Sequence, residues 1–339
     1  MLKLSTAAAA AILALAAQAH AGPYHAPKNG FGQPDLQGTW TNASLTQLQR
    51  PAMFKSLTLT DAEATALEKR RAAARANADK PTDPNSGAPP AANDPGGYNA
   101  SWTDPGVSLG RIDGKVRTSW IIDPADGRLP YSPAGHTAYV ETLRKARNSW
   151  DGPENRPLGE RCVLGFGSTA GPPMLNVLYN NNYQIVQSKD SVAILVEMNH
   201  DVRIVRLADK AHLPSHMRPW MGDSIGWWEG ETLVVETTNF NPGESLRPYF
   251  DNSILLSPSA KVTERFTRVS PTQILYQFAV DDPATYSQVW HAEMPLNAAK
   301  GPVYEYACHE GNYALPGILA GARKAEQEGK KIEAVDVSG

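Results

Sequence analysis

Acidic and imidazole side chains recur near the ends of the strand-like segments in the second half of the chain. General acid–base chemistry needs a proton donor and a proton acceptor within hydrogen-bond reach of one substrate. His309 and Glu310 directly follow Cys308, whereas His291 and Glu293 lie two residues apart and would share one face of a strand. These positions predict a site that combines histidine and carboxylate groups.

Residues at other strand ends complete the expected site. We expect the catalytic groups to be His309, Glu310, His291, Glu236 and His200, and the substrate-binding groups to be Arg203, Arg265, Asp223, Trp227, Asn239 and Glu293. An arginine would hold an anionic group or a developing oxyanion, and aromatic faces stack on sugars and aromatic rings. The same residues have a structural interpretation as turn formers or as cross-strand pairs on a wet face.

Several familiar motifs are absent from the sequence. It contains no G-x-S-x-G elbow, Walker loop, H-E-x-x-H, C-x-x-C or G-x-G-x-x-G, which disfavours serine hydrolases, zincins, nucleotide-dependent enzymes and dehydrogenases. His212 and His216 have helical metal-ligand spacing, but Pro214 between them opposes a regular helical turn. We therefore expect no cofactor and assign no metal ligand, while a divalent metal stays an open alternative.

The N-terminal 21 residues predict a secretory signal. They combine Lys3, an apolar run over residues 7–17 and Ala19-His20-Ala21, and this apolar core is too short to span a bilayer. The mature chain would begin near Gly22, in the periplasm or outside the cell. In such an oxidising compartment two cysteines favour a Cys162–Cys308 disulfide over two free thiols, one of them a nucleophile near His309.

Charge and strand patterning define the expected partners and fold. A net charge of −3 without a basic run argues against a nucleic-acid partner. We expect a small-molecule ligand and no membrane span, with the oligomeric state open. Residues 220–241 have the pattern of a β-hairpin, and short strands recur at near-regular spacing from Asn182 to Ala307. This pattern predicts a mainly β, antiparallel barrel or sandwich, lipocalin-like, with a few peripheral helices.

Composition divides the chain into three parts. Residues 1–21 are the predicted signal. Residues 22–100 form an N-terminal extension with a surface helix, which would begin at a capping box of Thr60 and Glu63, and a Pro/Gly-rich loop. Residues 101–339 form the β domain, with predicted strands that include residues 128–131, 286–294 and 303–307, and it ends in a C-terminal helix.

Four phrases carry a resemblance. They are N-N-N-Y-Q-I-V-Q from Asn180, W-M-G-D-S-I-G-W-W-E-G-E-T-L-V-V-E-T-T-N-F from Trp220, V-T-E-R-F-T-R-V from Val262 and Y-E-Y-A-C-H-E-G-N-Y from Tyr304. Together they resemble a widespread, uncharacterised family of secreted bacterial proteins, over most of the mature chain. The resemblance implies secretion and assigns no activity or catalytic residue.

Three functions are consistent with these residues. The first is a secreted lyase, isomerase or hydrolase that applies His/carboxylate acid–base chemistry to a sugar-like or aromatic molecule in a barrel pocket. The second is a lipocalin-like periplasmic binding protein without catalysis. The third is a structural envelope protein in which the polar residues are only paired with one another.

Overall fold

The computed structural model describes residues 24–78, 103–165, 171–209, 211–244, 246–247 and 253–330. Its strands are β1 (Gly38–Thr41), β2 (Thr58–Leu59), β3 (Arg111–Ile112), β4 (Lys115–Arg117), β5 (Ile121–Asp123), β6 (Asn182–Gln187), β7 (Ser191–Val196), β8 (Val202–Arg206), β9 (Asp223–Glu229), β10 (Thr232–Thr238), β11 (Leu246–Arg247), β12 (Ile254–Leu255), β13 (Lys261–Ser270), β14 (Gln273–Asp281) and β15 (Trp290–Ala298). The helices are α1 (Asp61–Ala78), α2 (Pro133–Asn148) and α3 (Ala314–Gln327).

Nine strands close into a barrel. Their order is β1-β6-β7-β8-β9-β10-β13-β14-β15, and β15 pairs with β1 to close the ring. The short strand β5 pairs with His291 and Ala292 at the start of β15. The strand direction cannot alternate all the way round a ring with an odd number of members. One neighbouring pair must therefore be parallel, and that pair is β8 and β9. The barrel was predicted, whereas the parallel pair differs from the antiparallel set that the sequence indicated.

Along each strand of the wall, successive side chains point alternately into and out of the barrel, as expected for the two-residue period of a β-strand. In β14, for example, Ile274, Tyr276, Phe278 and Val280 are buried, and their neighbours in the sequence are less so. Eight of the nine wall strands contribute inward residues to one core cluster that includes Trp290, and Trp228 of β9 packs against this cluster. A barrel of about this size has an interior that side chains can fill, and here large aromatic residues occupy it.

The N-terminal part of the chain contributes one wall strand. Trp40 of β1 pairs with Tyr183 of β6 on one side and with Ala298 of β15 on the other. The division at residue 100 that composition suggested therefore separates one barrel strand from the other eight. A boundary drawn from composition does not detect such a strand, because only four residues form it.

Local signals placed the helices well and some strands less well. Thr60 and Glu63 form the predicted capping box at the start of α1, with Thr60 N–H donating to Glu63 Oε2 at 2.8 Å and Glu63 N–H donating to Thr60 Oγ1 at 3.3 Å. The last strand of the barrel was predicted at residues 286–294 but runs to Ala298. Predicted strands at 128–131 and 303–307 are irregular in the structure.

One end of the barrel is covered by other parts of the chain. This capped end lies where β7 ends, β8 begins and β14 ends. Residues 171–177, here called the plug, are all buried, and Met174 N–H donates to the hydroxyl of Tyr276 inside the barrel at 3.0 Å. Three further parts of the chain, together called the cap, pack beside the plug: α2, residues 149–165, and residues 242–244 with 246–247, where Arg247 contacts Gly171 of the plug.

The disulfide is present between Cys162 and Cys308, with the two Cα atoms 5.6 Å apart. Such a bond persists in oxidising compartments. Within the described part of the chain, no helix has the length and apolar character needed to cross a membrane. The predicted signal, residues 1–21, lies outside the described residues.

Candidate functional site: a cationic cavity in the cap

The cap carries a partly open cavity of about 240 Å³. Three walls line it: one face of α2 at residues 142–146, the loop at residues 154–165, and residues 242–243 with 246–247. Each wall contributes a cationic side chain, namely Lys145 on α2, Arg156 and Arg161 on the loop, and Arg247 on β11. Of the described residues that line the cavity, only Glu154 carries a carboxylate, so positive charge dominates.

The four cations differ in their existing partners. Arg156 already forms an ion pair, because it donates to both carboxylate oxygens of Glu160 at 2.9 and 3.0 Å, and it lies over the Trp150 ring. Arg247 is buried and donates to the carbonyl of Gly171 at 3.0 Å. Lys145 and Arg161 have no ion-pair partner among the described residues. These two side chains are therefore the ones available to an anionic ligand.

Covalent and hydrogen bonds hold the loop wall in place. Cys162, the neighbour of Arg161, is bonded to Cys308, and Asn312 Nδ2 donates to the carbonyl of Glu160 at 3.0 Å. Both anchors come from the C-terminal segment that precedes α3. A ligand site gains affinity when its groups are positioned before binding, and these contacts supply that rigidity beside Arg161.

The turn between β7 and β8 lies behind the cavity. Asn199 and His200 both have positive φ values, 61° and 45°, which is uncommon for residues other than glycine. Burial raises the pKa of the next carboxyl, that of Asp201, to about 6. Hydrogen bonds from the Gly165 N–H and from Asn199, and the charge of His200, oppose this rise. Gly165 lines the cavity, so a titratable carboxyl lies directly behind its wall.

Asp201 gives a pH prediction. Its pKa is higher in the folded chain than the ordinary value near 3.9, so between about pH 4 and 6 the folded state binds more protons than the unfolded state. The stability contribution of this group therefore falls as pH rises through that range. We expect Asp201→Asn, which keeps an acceptor for the Gly165 N–H, to be more stable than the parent above pH 6 and to lose this difference near pH 4.

Urea unfolding from pH 4 to 8 measures this difference. Asp190→Asn is the matched control, because Asp190 lies in an exposed turn at the opposite end of the barrel. If the free energy of unfolding of Asp201→Asn differs from that of the parent by the same amount at every pH, burial does not disfavour the ionised carboxylate.

Arg203, predicted to bind substrate, is instead an internal residue of the barrel. Its Nη1 and Nη2 donate to the two carboxylate oxygens of Glu264 at 2.8 and 3.1 Å, and the Tyr276 hydroxyl donates to Glu264 Oε1 at 2.7 Å. Arg203 is 2% exposed and Glu264 is 0% exposed. The guanidinium is therefore engaged with a protein carboxylate and cannot hold a substrate in this arrangement.

The other predicted residues on the strands lie on the outer face of the barrel. His291 contacts Asp123 Oδ2 at 3.2 Å, and Glu293 accepts from Arg117 at 2.6 Å. Register places His291 and Glu236 in one row with three strand spacings between them, roughly 14 Å at about 4.8 Å each. These residues therefore do not form the shared acid–base site that the sequence suggested.

Arg265 and Trp227 also point outward and share a partner. Arg265 pairs with Glu229 at 2.9 Å, and Trp227 Nε1 donates to the same carboxylate at 3.0 Å. Both side chains are partly exposed, at 40% and 38%. The structural interpretation, a cross-strand pair on a wet face, describes them better than a ligand site.

The structure brings three predicted residues, Asp223, Glu236 and Asn239, together against the loop at residues 211–222. His212 on this loop contacts Asp223 Oδ2 through Nδ1 at 2.9 Å and Glu236 Oε1 through Nε2 at 3.2 Å. Asn239 Nδ2 donates to the Leu213 carbonyl at 2.9 Å. Because both ring nitrogens of His212 face carboxylates, this cluster fastens the loop to the outer wall.

Charge pairing governs Asp223 in this cluster. Burial by itself would raise the pKa of its carboxyl, but hydrogen bonds from Leu213 N–H, His212 and Arg206 outweigh burial and hold the pKa below its ordinary value. Within the described residues, no group of three or more His, Cys, Asp or Glu side chains is placed to hold a metal ion. The His212/His216 spacing therefore gains no support as a metal site.

The remaining catalytic candidates lie in two places: His309 and Glu310 follow Cys308 of the disulfide, and His200 lies in the turn between β7 and β8. His309 and Glu310 are exposed, and Glu310 lines a second cavity of about 300 Å³ beside Cys308. His200 is exposed, and its ring contacts the carbonyl of Asn199. Sequence reasoning did not single out Lys145, Arg161 or Arg247, since cations on a helix, a loop and a short strand share no local pattern.

Fold and site together define a capped nine-stranded β-barrel protein with a cationic cavity outside the barrel. No protein-family model, curated protein or solved structure matches this chain. The geometry of the cap is therefore the basis for assigning a function.

Proposed function

We propose that the protein binds a small anionic molecule in the cap cavity and works in the periplasm or outside the cell. The observation that carries this proposal is that Lys145 and Arg161, which line two walls of one cavity of about 240 Å³, have no ion-pair partner among the residues that the structure describes. Two positive charges at one small cavity repel each other, and an anion between them removes that repulsion. The disulfide and the predicted signal support the compartment.

The test compares anions with neutral molecules of the same shape. Calorimetric titration and thermal unfolding are measured with acetate, inorganic phosphate and benzoate, and with acetamide and benzamide as uncharged counterparts. A ligand at about 100 times its Kd adds about 2.7 kcal/mol to the free energy of unfolding, so we expect a clear rise in Tm with at least one anion. Binding should weaken as salt is raised.

Two variants, Arg161→Gln and Lys145→Gln, test whether the anion binds in the cap cavity. Loss of a charge-assisted hydrogen bond weakens binding by about 1.5–3 kcal/mol, roughly tenfold to more than a hundredfold in Kd. Arg265→Gln removes the same charge at a distant outer position and should leave binding unchanged. If no anion binds, or if Arg265→Gln weakens binding as much as Arg161→Gln, the proposal fails.

A further inference from the structure

The lining of the cavity is apolar as well as cationic. Leu158 and Leu164 lie on the loop wall, and Pro242 and Leu246 lie on the wall that carries Arg247. On α2, Ala146 follows directly after Lys145. Each of the three walls therefore presents a positive charge next to hydrocarbon surface.

This combination discriminates between classes of anion. An inorganic oxyanion such as phosphate is polar on every side, so its burial against leucine and proline side chains would leave oxygen atoms without hydrogen-bond partners. An organic carboxylate has one charged end and an apolar body. Its carboxylate can accept from a guanidinium in a bidentate manner, while the body covers the apolar wall.

The volume limits the ligand further. Ligand pockets usually measure about 300–1,000 Å³, and this cavity, at about 240 Å³, lies below that range. A cavity of that size suits one ring or a short chain together with a carboxylate.

We infer that the ligand is a small organic monocarboxylate with an apolar or aromatic body. The carboxylate binds between Arg161 and Lys145, and the body packs against Leu158, Leu164 and Leu246. This inference rests on the proposed anion-binding function and adds the chemical class of the anion. The cavity lies outside the barrel, so the ligand class follows from the cap and is independent of the barrel interior.

Calorimetric titration of the folded, disulfide-bonded protein tests the class. The probes are sodium benzoate, inorganic phosphate and benzamide. We expect benzoate to bind at least tenfold more tightly than either of the other two, since phosphate lacks the apolar body and benzamide lacks the charge. Leu158→Ala should weaken benzoate about threefold to tenfold and leave phosphate unchanged, and Leu178→Ala, at an exposed position outside the cavity, should change neither.

The outcomes separate the inference from the function on which it rests. If phosphate binds as tightly as benzoate, or if Leu158→Ala leaves benzoate affinity unchanged, the ligand is a different anion and the inference is overturned while anion binding stands. If benzoate binds but Arg161→Gln retains full affinity, the carboxylate does not bind where we place it. If none of the anions binds, both the inference and the proposed function fail.

Discussion

Replacing Glu264 with glutamine is expected to lower the free energy of unfolding by about 3–5 kcal/mol, because the charge of Arg203 would remain buried without its carboxylate. The side chains are almost isosteric, so packing changes little. Arg203 and Glu264 are 2% and 0% exposed and joined by two hydrogen bonds. Equilibrium unfolding in urea, with the slope checked for two-state behaviour, measures the difference.

A double-mutant cycle shows whether the effect comes from the pair. Arg203→Met alone leaves the Glu264 carboxylate buried, with the Tyr276 hydroxyl as its remaining donor. We expect Arg203→Met with Glu264→Gln to be less destabilised than the sum of the two single variants, because the second change removes the charge that the first left alone. Additive effects would mean that the two charges do not interact.

The neighbouring residue in the same strand provides the control. Arg265 pairs with Glu229 on the outer face, where the guanidinium is 40% exposed. An exposed pair of this kind contributes about 0–1 kcal/mol. Arg265→Gln should therefore have a small effect, and a loss as large as that of Glu264→Gln would contradict the assignment of these residues to opposite faces.

Removing the disulfide is expected to have an effect of similar size. Cys162 and Cys308 are 146 residues apart, and the chain between them contains eight of the nine barrel strands, all except β1. In the chain-entropy model, closing a loop of this length stabilises the folded state by roughly 5 kcal/mol. We expect Cys162→Ser with Cys308→Ser to lower the urea midpoint strongly in the absence of reductant.

Two further measurements make the disulfide prediction specific. Adding reductant should lower the midpoint of the parent toward that of the double variant and leave the variant unchanged. Anion affinity should also fall in the variant, because Arg161 adjoins Cys162 and would lose its anchor to the C-terminal segment. An unchanged midpoint would show that the cross-link does not restrict the unfolded chain as the model requires.

Much of the architecture follows from local sequence signals. The Trp220 hairpin, observed as strands at residues 223–229 and 232–238, was readable from a turn glycine between two runs of alternating side chains. The capping box at Thr60 and the disulfide were predicted in the same way. These features depend on residues within a few positions of each other, or on the chemistry of a compartment, so one sequence is enough to find them.

The candidate site was much less accessible to sequence reasoning. The sequence indicated that His291, Glu236 and His200 would gather at a barrel mouth, but two lie outside the wall and the third is in an exposed turn. Whether a side chain points into or out of the barrel depends on the register of its strand, and a shift of one residue exchanges the two faces. A pattern of ionisable residues near strand ends therefore cannot say which of them share a cavity.

The β-rich class, the helices, the cysteine pair and the alternation of side chains could be predicted from the sequence, because short-range periodicity, turn chemistry and the compartment indicate them. Three features became visible in the folded chain alone: β1 closes the ring, Arg203 pairs with Glu264 from 61 residues away, and Lys145, Arg161 and Arg247 line one cavity. These contacts join parts of the chain that share no local pattern. They arise when the barrel closes and the cap packs on its end, and the chemistry of the site depends on that packing.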